Sequence, residues 1–180
     1  IPEIWQPGIV RLGIQRQPDT RLHCVRSDGT VAILVFDPNE QVTCWVDLDT
    51  DGLVEDVAVL PGDSGDSEDH VYYIVARTIN GATVRFLERW AFQSDCVGGT
   101  LNKLGDAYVT YTGATTTTIS APHLANEQVV VWADGVDVGT AADGTRIYTL
   151  DGSGNATLSA AVTNYVVGLY YEAPFQSGKL

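Results

Sequence analysis

The sequence predicts an all-β protein in two parts, and three observations carry that expectation. Short runs of apolar and β-branched residues recur along the whole chain. They are separated by turn dipeptides at Asp28-Gly29, Asn80-Gly81, Asp134-Gly135, Asp143-Gly144 and Asp151-Gly152. Asn-Gly and Asp-Gly are the pairs that accept the positive φ angles of tight hairpin turns. No amphipathic helix of ordinary length is visible. Residues 1–92 read as propeller-like antiparallel strands, residues 93–104 as a linker, and residues 105–180 as a small β-sandwich or barrel.

Taken in order, residues 1–19 hold three prolines and no sustained period, and read as an extended arm. Arg21–Arg26 and Val31–Phe36 flank the turn Ser27-Asp28-Gly29-Thr30. Asp37-Pro38-Asn39-Glu40 interrupts the chain, Gln41–Leu48 forms the next strand around Trp45, and Leu53–Leu60 follows until Pro61-Gly62 stops it. The stretch Val71–Trp90 folds back on itself through Asn80-Gly81, the strongest hairpin signal in the chain. Strands joined in this way make a meander or propeller blades, and the six between residues 20 and 90 amount to one blade and part of another. Such a piece does not close a ring alone, so a partner segment or chain is implied.

Ser94-Asp95, Cys96 and Gly98-Gly99 mark the boundary. Beyond Gly105, seven short strands are expected: Ala107–Tyr111, Thr115–Ile119, Gln128–Ala133, Val136–Gly139, Arg146–Leu150, Ala156–Leu158 and Tyr165–Tyr170. Pro122-His123-Leu124-Ala125 allows a single helical turn.

Ten basic residues face 23 acidic ones, a formal charge of −13. That argues against specific nucleic-acid binding, which needs clustered Lys and Arg on phosphates. A strongly acidic wall suits a conduit that repels DNA, and it also serves simple solubility. Cys24, Cys44 and Cys96 leave at least one thiol unpaired, with no CxxC or zinc spacing. Cys24 and Cys44 read as small buried hydrophobes. The chain has no methionine and begins with Ile1, and its end breaks off in an extended pattern, so it reads as a piece of a longer protein. No signal peptide, transit peptide or membrane-spanning run is visible.

Asp47-Leu48-Asp49-Thr50-Asp51-Gly52 has the DxDxDG spacing of a calcium loop, in which alternate carboxylates converge on one hard cation. The twelfth position is Ala58 where an EF-hand wants Glu, and no helices flank the loop. Asp47, Asp49 and Asp51 with Glu55 are therefore candidate ligands of a calcium site outside the EF-hand pattern. The competing reading is an acidic hairpin turn. Gly62-Asp63-Ser64-Gly65 resembles a serine-protease nucleophile motif, but Asp66 replaces the second glycine and the two-barrel context is missing; residues 62–70 read better as a flexible acidic loop. His23, His70 and His123 stand far apart and read as structural. Trp5, Trp45, Trp90, Trp132 and Tyr170-Tyr171 offer material for a sugar groove, although Trp45, Trp90 and Trp132 lie in apolar strand runs where core packing is the simpler role.

One stretch also carries a resemblance. Arg77-Thr78-Ile79-Asn80-Gly81, continued by Thr83-Val84-Arg85-Phe86 and Glu88-Arg89, is similar to a segment of bacteriophage tail proteins of the nozzle or tail-tube-B type. Four further pieces match in the same order: Arg26–Thr30, Cys44-Trp45, Gly52–Gly62 and Gly168–Ala173. The resemblance implies a virion protein made in the bacterial host and built into the distal tail beside other tail proteins. It implies a hexameric ring around the DNA exit channel, with no catalytic residue and no resident cofactor. The acidic inserts at Asp47–Asp51 and Asp63–Asp69 are richer in carboxylate than that pattern, which keeps calcium-assisted assembly or attachment to a host surface open. Two other classes stand beside it: a carbohydrate- or receptor-binding module of a tail appendage, and a tail-associated cell-wall-degrading enzyme.

Overall fold

Turn chemistry and strand alternation together place the elements of the N-terminal half. The computed structural model describes residues 6–138 and 146–171. It is all-β, with antiparallel sheets of four, three and five strands and no α-helix among the described residues. The chain divides into two units, residues 1–94 and 95–180, a division that falls inside the stretch read as a linker. Trp5, Gly139, Asp143-Gly144, Glu172-Ala173 and the C-terminal run to Leu180 lie outside the described residues.

The first unit contains two meanders. Strands β1 (Ile9–Gln15), β2 (Thr20–Arg26), β3 (Val31–Asp37) and β4 (Val42–Leu48) pair in sequence order, as do β5 (Leu53–Leu60), β6 (His70–Ile79) and β7 (Ala82–Arg89). Asn80 at φ 49° and Gly81 at φ 76° form the β6–β7 turn, with Ile79 opposite Ala82. This is the type I′ geometry that Asn-Gly accepts with least strain. Val25, Val31 and Ile33 from the first sheet meet Val54, Val71, Tyr73 and Val75 from the second in one buried core. Each such side chain contributes roughly 1.5–3 kcal/mol by leaving water. A Cβ on Gly13 would lie 3.1 Å from the side chains of both Val57 and Val59, so β1 approaches β5 closely where a glycine permits it.

Two expectations change here. Residues 9–15, read as part of an arm, form β1 and pair with β2. Their strand character is masked in the sequence because Leu12 and Ile14 point outward while Gly13 and Gln15 are the buried positions. Cys44 is exposed, while Cys24 is buried as expected.

The second unit departs further. It holds β8 (Asp106–Ser120), a single 3-10 turn (Pro122–Leu124), β9 (Gln128–Ala133), β10 (Val136–Asp137), β11 (Tyr148–Thr149) and β12 (Asn155–Leu169). The sheet runs β10-β9-β12-β8, with β11 also on β9. Four of the expected short strands are thus two long ones. The residues that looked like breaks, Gly113-Ala114-Thr115 and Ser159-Ala160-Ala161, sit where the β8–β12 register shifts. Extra residues there bend the ribbon without ending it. The bend is visible in one bond: Ser120 donates its backbone N–H to Tyr165 Oη at 3.1 Å, although the ladder partner of Tyr165 is Tyr111. Ile119, Leu124, Val129, Val131, Leu158 and Val167 close the core.

Candidate functional site

The Asp47–Gly52 turn connects the two meanders, and its environment explains its sequence without a metal. Arg77 projects from the core face of β6 and is 1% exposed. Its Nε and Nη2 donate to both carboxylate oxygens of Glu88 at 2.7 Å. Its Nη2 also donates to Thr50 Oγ1 at 2.9 Å, and its Nη1 to the Asp51 carbonyl. A guanidinium therefore occupies the place where turn oxygens converge. Gly52 fits the same picture: a Cβ there would stand 2.9 Å from the Ala76 carbonyl oxygen, so the residue is needed for close approach to β6.

The predicted ligands do not gather. Asp47 binds Arg26 Nη2 at 2.7 Å on the exposed edge strand. Asp49 and Asp51 have exposed side-chain positions. Glu55 is the extra residue of a bulge opposite β6, and its carboxylate takes both Nε and Nη2 of Arg85, at 2.8 and 3.0 Å. That bond from Arg85 holds the Glu55 carboxyl below its ordinary range. Glu88 on β7 reaches across to Arg77 on β6.

Asp63, Asp66 and His70 do offer ligand atoms within 4.8 Å of one another. Their hydrogen bonds already use the imidazole. Arg89 carries only donors, so His70 Nδ1 accepts from its Nη1 at 3.3 Å. The proton then lies on Nε2, which donates to Asp66 Oδ2 at 2.8 Å. This bond, the largest cause, together with the Asp63 backbone N–H, lowers the Asp66 carboxyl below its usual range. With both His70 ring nitrogens engaged, a metal or a proton from Ser64 would have to displace one of these bonds. The acidic loop is also tied down at both sides. Buried Glu68 accepts the backbone N–H groups of Gln93 and Ser94, at 3.0 and 3.4 Å. Asp69 accepts those of Arg16 and Gln17, at 2.7 and 3.2 Å.

His23 is fully buried against Trp90, edge-on at 5.2 Å. Gln15 Nε2 donates to the Gln17 carbonyl, which fixes the amide and leaves Gln15 Oε1 to accept from His23 Nε2 at 3.2 Å. His23 Nδ1 then accepts the Tyr73 hydroxyl at 2.6 Å. Burial, helped by Arg21, lowers the His23 pKa to about 4, while burial raises that of Tyr73. This is a neutral structural network inside the core. His123, in the second unit, donates Nε2–H to the Ala107 carbonyl at 2.7 Å.

One face of the four-stranded sheet carries an apolar row. Cross-strand partners share a face, and the register aligns Ile14, Leu22, Leu34 and Trp45 in one row across all four strands. Leu12 and Phe36 lie beside it on the same face. Leu12, Ile14 and Phe36 are 59%, 57% and 45% exposed. The outer face of the three-stranded sheet carries Leu53, Ile74 and Leu87, also exposed, among charged pairs. The unbroken apolar run Val31–Phe36 hid this face, because apolar residues occupy both sides of β3.

The chain matches no known family model, and the search of curated proteins likewise returned no match.

Proposed function

We propose that this chain is a structural component of a bacteriophage tail, of the nozzle or tail-tube-B kind, acting through assembly and not through catalysis. The observation that supports this best is the outward row Ile14–Leu22–Leu34–Trp45, flanked by Leu12 and Phe36. A sheet apolar on both faces is a sheet built to lie between two others. In this reading the two meanders are consecutive blades of a propeller-like array, each outer face covered by a neighbouring blade. The second unit, in the same reading, is a small sandwich. The five ordered sequence pieces support reading the assembly as a homo-oligomeric ring in the virion, in contact with other tail proteins. The net charge of −13 suits a wall along which DNA slides without sticking.

Sedimentation velocity over a wide concentration range tests the assembly step. The wild-type chain is expected to self-associate reversibly. Ile14→Lys, which places a charge at the exposed β1 end of the row while leaving the buried face untouched, is expected to weaken that association by about tenfold or more. A wild-type chain that stays monomeric throughout, or a variant that associates equally well, would count against the reading.

A further inference from the structure

Within the second unit, the segment 95–105 crosses the outer face of the β10-β9-β12-β8 sheet. It is anchored by Trp132 Nε1 donating to the Gly99 carbonyl at 2.8 Å, and Lys103 closes it on itself by bonding Asp95 through both backbone and side chain. Beneath it lies a cavity of about 300 Å3. Its walls include Leu104, Val130 and Val166, the Trp132 ring, and two polar residues, Asn102 and Asp137.

Asn102 is the informative one. It is 7% exposed, and the only hydrogen bond it makes is the one its Oδ1 accepts from the Gly98 N–H at 3.3 Å. Its NH2 group has no protein partner among the described residues, and it is open to solvent at the cavity and not sealed in the packed interior. A polar group that faces a cavity takes its partner from water, or from a ligand that displaces the water. Asp137 faces the same cavity with its charge balanced by Arg146 Nη1 at 2.5 Å.

We propose that this cavity binds a neutral, hydroxyl-bearing ring of monosaccharide size. Each wall matches one property of such a ligand. A hydroxyl oxygen accepts from the Asn102 NH2, another hydroxyl donates to the Asp137 carboxylate, and the C–H face of the ring packs on Trp132 and the valines. A purely apolar ligand would leave the Asn102 NH2 unpartnered. An anion would meet Asp137 on a chain already strongly acidic, and a cation would have to displace Arg146. The volume stands at the low end of small-molecule sites, room for one ring. The inference does not rest on the tail reading; it would hold equally for a chain of other origin.

The test is a titration of the full 15N-labelled chain with three neutral sugars: methyl glucoside, methyl galactoside and N-acetylglucosamine. Glucuronate and glucosamine serve as charged controls. The Trp132 indole signal, assigned with Trp132→Phe, and the Asn102 side-chain amide are followed. The expected result is saturable shifts centred on these two groups for at least one neutral sugar, with a Kd of about 1 mM. Binding should weaken about tenfold or more in Asn102→Leu; if that variant does not fold, Asp137→Asn serves the same purpose. Three results would overturn the proposal. One is no saturable shift for any neutral sugar up to about 50 mM. Another is shifts that lie away from Trp132. The third is tighter binding of a charged control than of every neutral sugar.

Discussion

In the first unit Gln15, His23, Glu68, His70 and Arg77 are buried between and beside two meanders, whereas Asn102 is the one comparable residue described in the second. The first unit thus uses directional bonds to fix how its sheets and loops meet: Arg77 joins β6 to β7 and to the β4–β5 turn, and Glu68 and Asp69 join the acidic loop to distant backbone. The second unit reaches its shape by bending one long ribbon over an apolar core. Polar side chains also act locally at its turns, as Asp151 does by accepting the Ser153 and Asn155 N–H groups. Directional networks fail when one member is lost. An apolar core fails when volume is lost.

That contrast can be broken experimentally. The largest effect is expected from Arg77→Met, which strands the Glu88 carboxylate and the turn oxygens and should cost the first unit about 3–5 kcal/mol. Urea unfolding followed by amide signals should show the first unit melting earlier while the second is unmoved. Adding Glu88→Leu should recover much of the loss, because the pair removed together leaves no buried charge behind. In the second unit Ile119→Ala should cost about 2–5 kcal/mol, since the side chain is fully buried.

Acid should separate the units as well. His23 titrates at about 4 in the folded chain against an ordinary 6.5, so the unfolded chain takes up its proton first. The contribution of neutral His23 is complete above pH 6.5 and is lost as pH falls towards 4, reaching about 3 kcal/mol. Denaturation midpoints measured across that interval should fall for the first unit, and less steeply in His23→Gln. A smaller effect, about 1 kcal/mol, is expected from Gly81→Ala, which forces an L-residue to φ 76° in the β6–β7 turn. Smallest of all is the response to calcium. Calorimetry with and without the ion should show no shift beyond that of ionic strength, because Arg77 already holds the Asp47–Gly52 turn.

The same contrast explains what the sequence could reveal. Strands β2 to β5, and β6 with β7, are joined by short turns whose chemistry is local, and Asp28-Gly29 or Asn80-Gly81 announces them directly. The pairing of β8 with β12 joins residues far apart in the chain, and its bulges at Gly113–Thr115 and Ser159–Ala161 look like ends of strands when read locally. At the sites, spacing alone suggested a cation for Asp47, Asp49, Asp51 and Glu55, and a cation is there in the form of Arg77. The signal for it was available: Val71, Tyr73, Val75, Arg77 and Ile79 occupy alternate positions of β6, so the arginine had to share the buried face. Asn102 carried no such signal, because its burial comes from a segment without strand periodicity.

Whether this chain belongs to a phage tail is tested most directly by immunogold electron microscopy. The particles to use are those whose genome encodes the chain, labelled both intact and after tail disruption. The account predicts gold at the distal end of the tail, on intact or on disrupted particles. Bare tails in both preparations, with the antibody still binding the isolated chain, would contradict it.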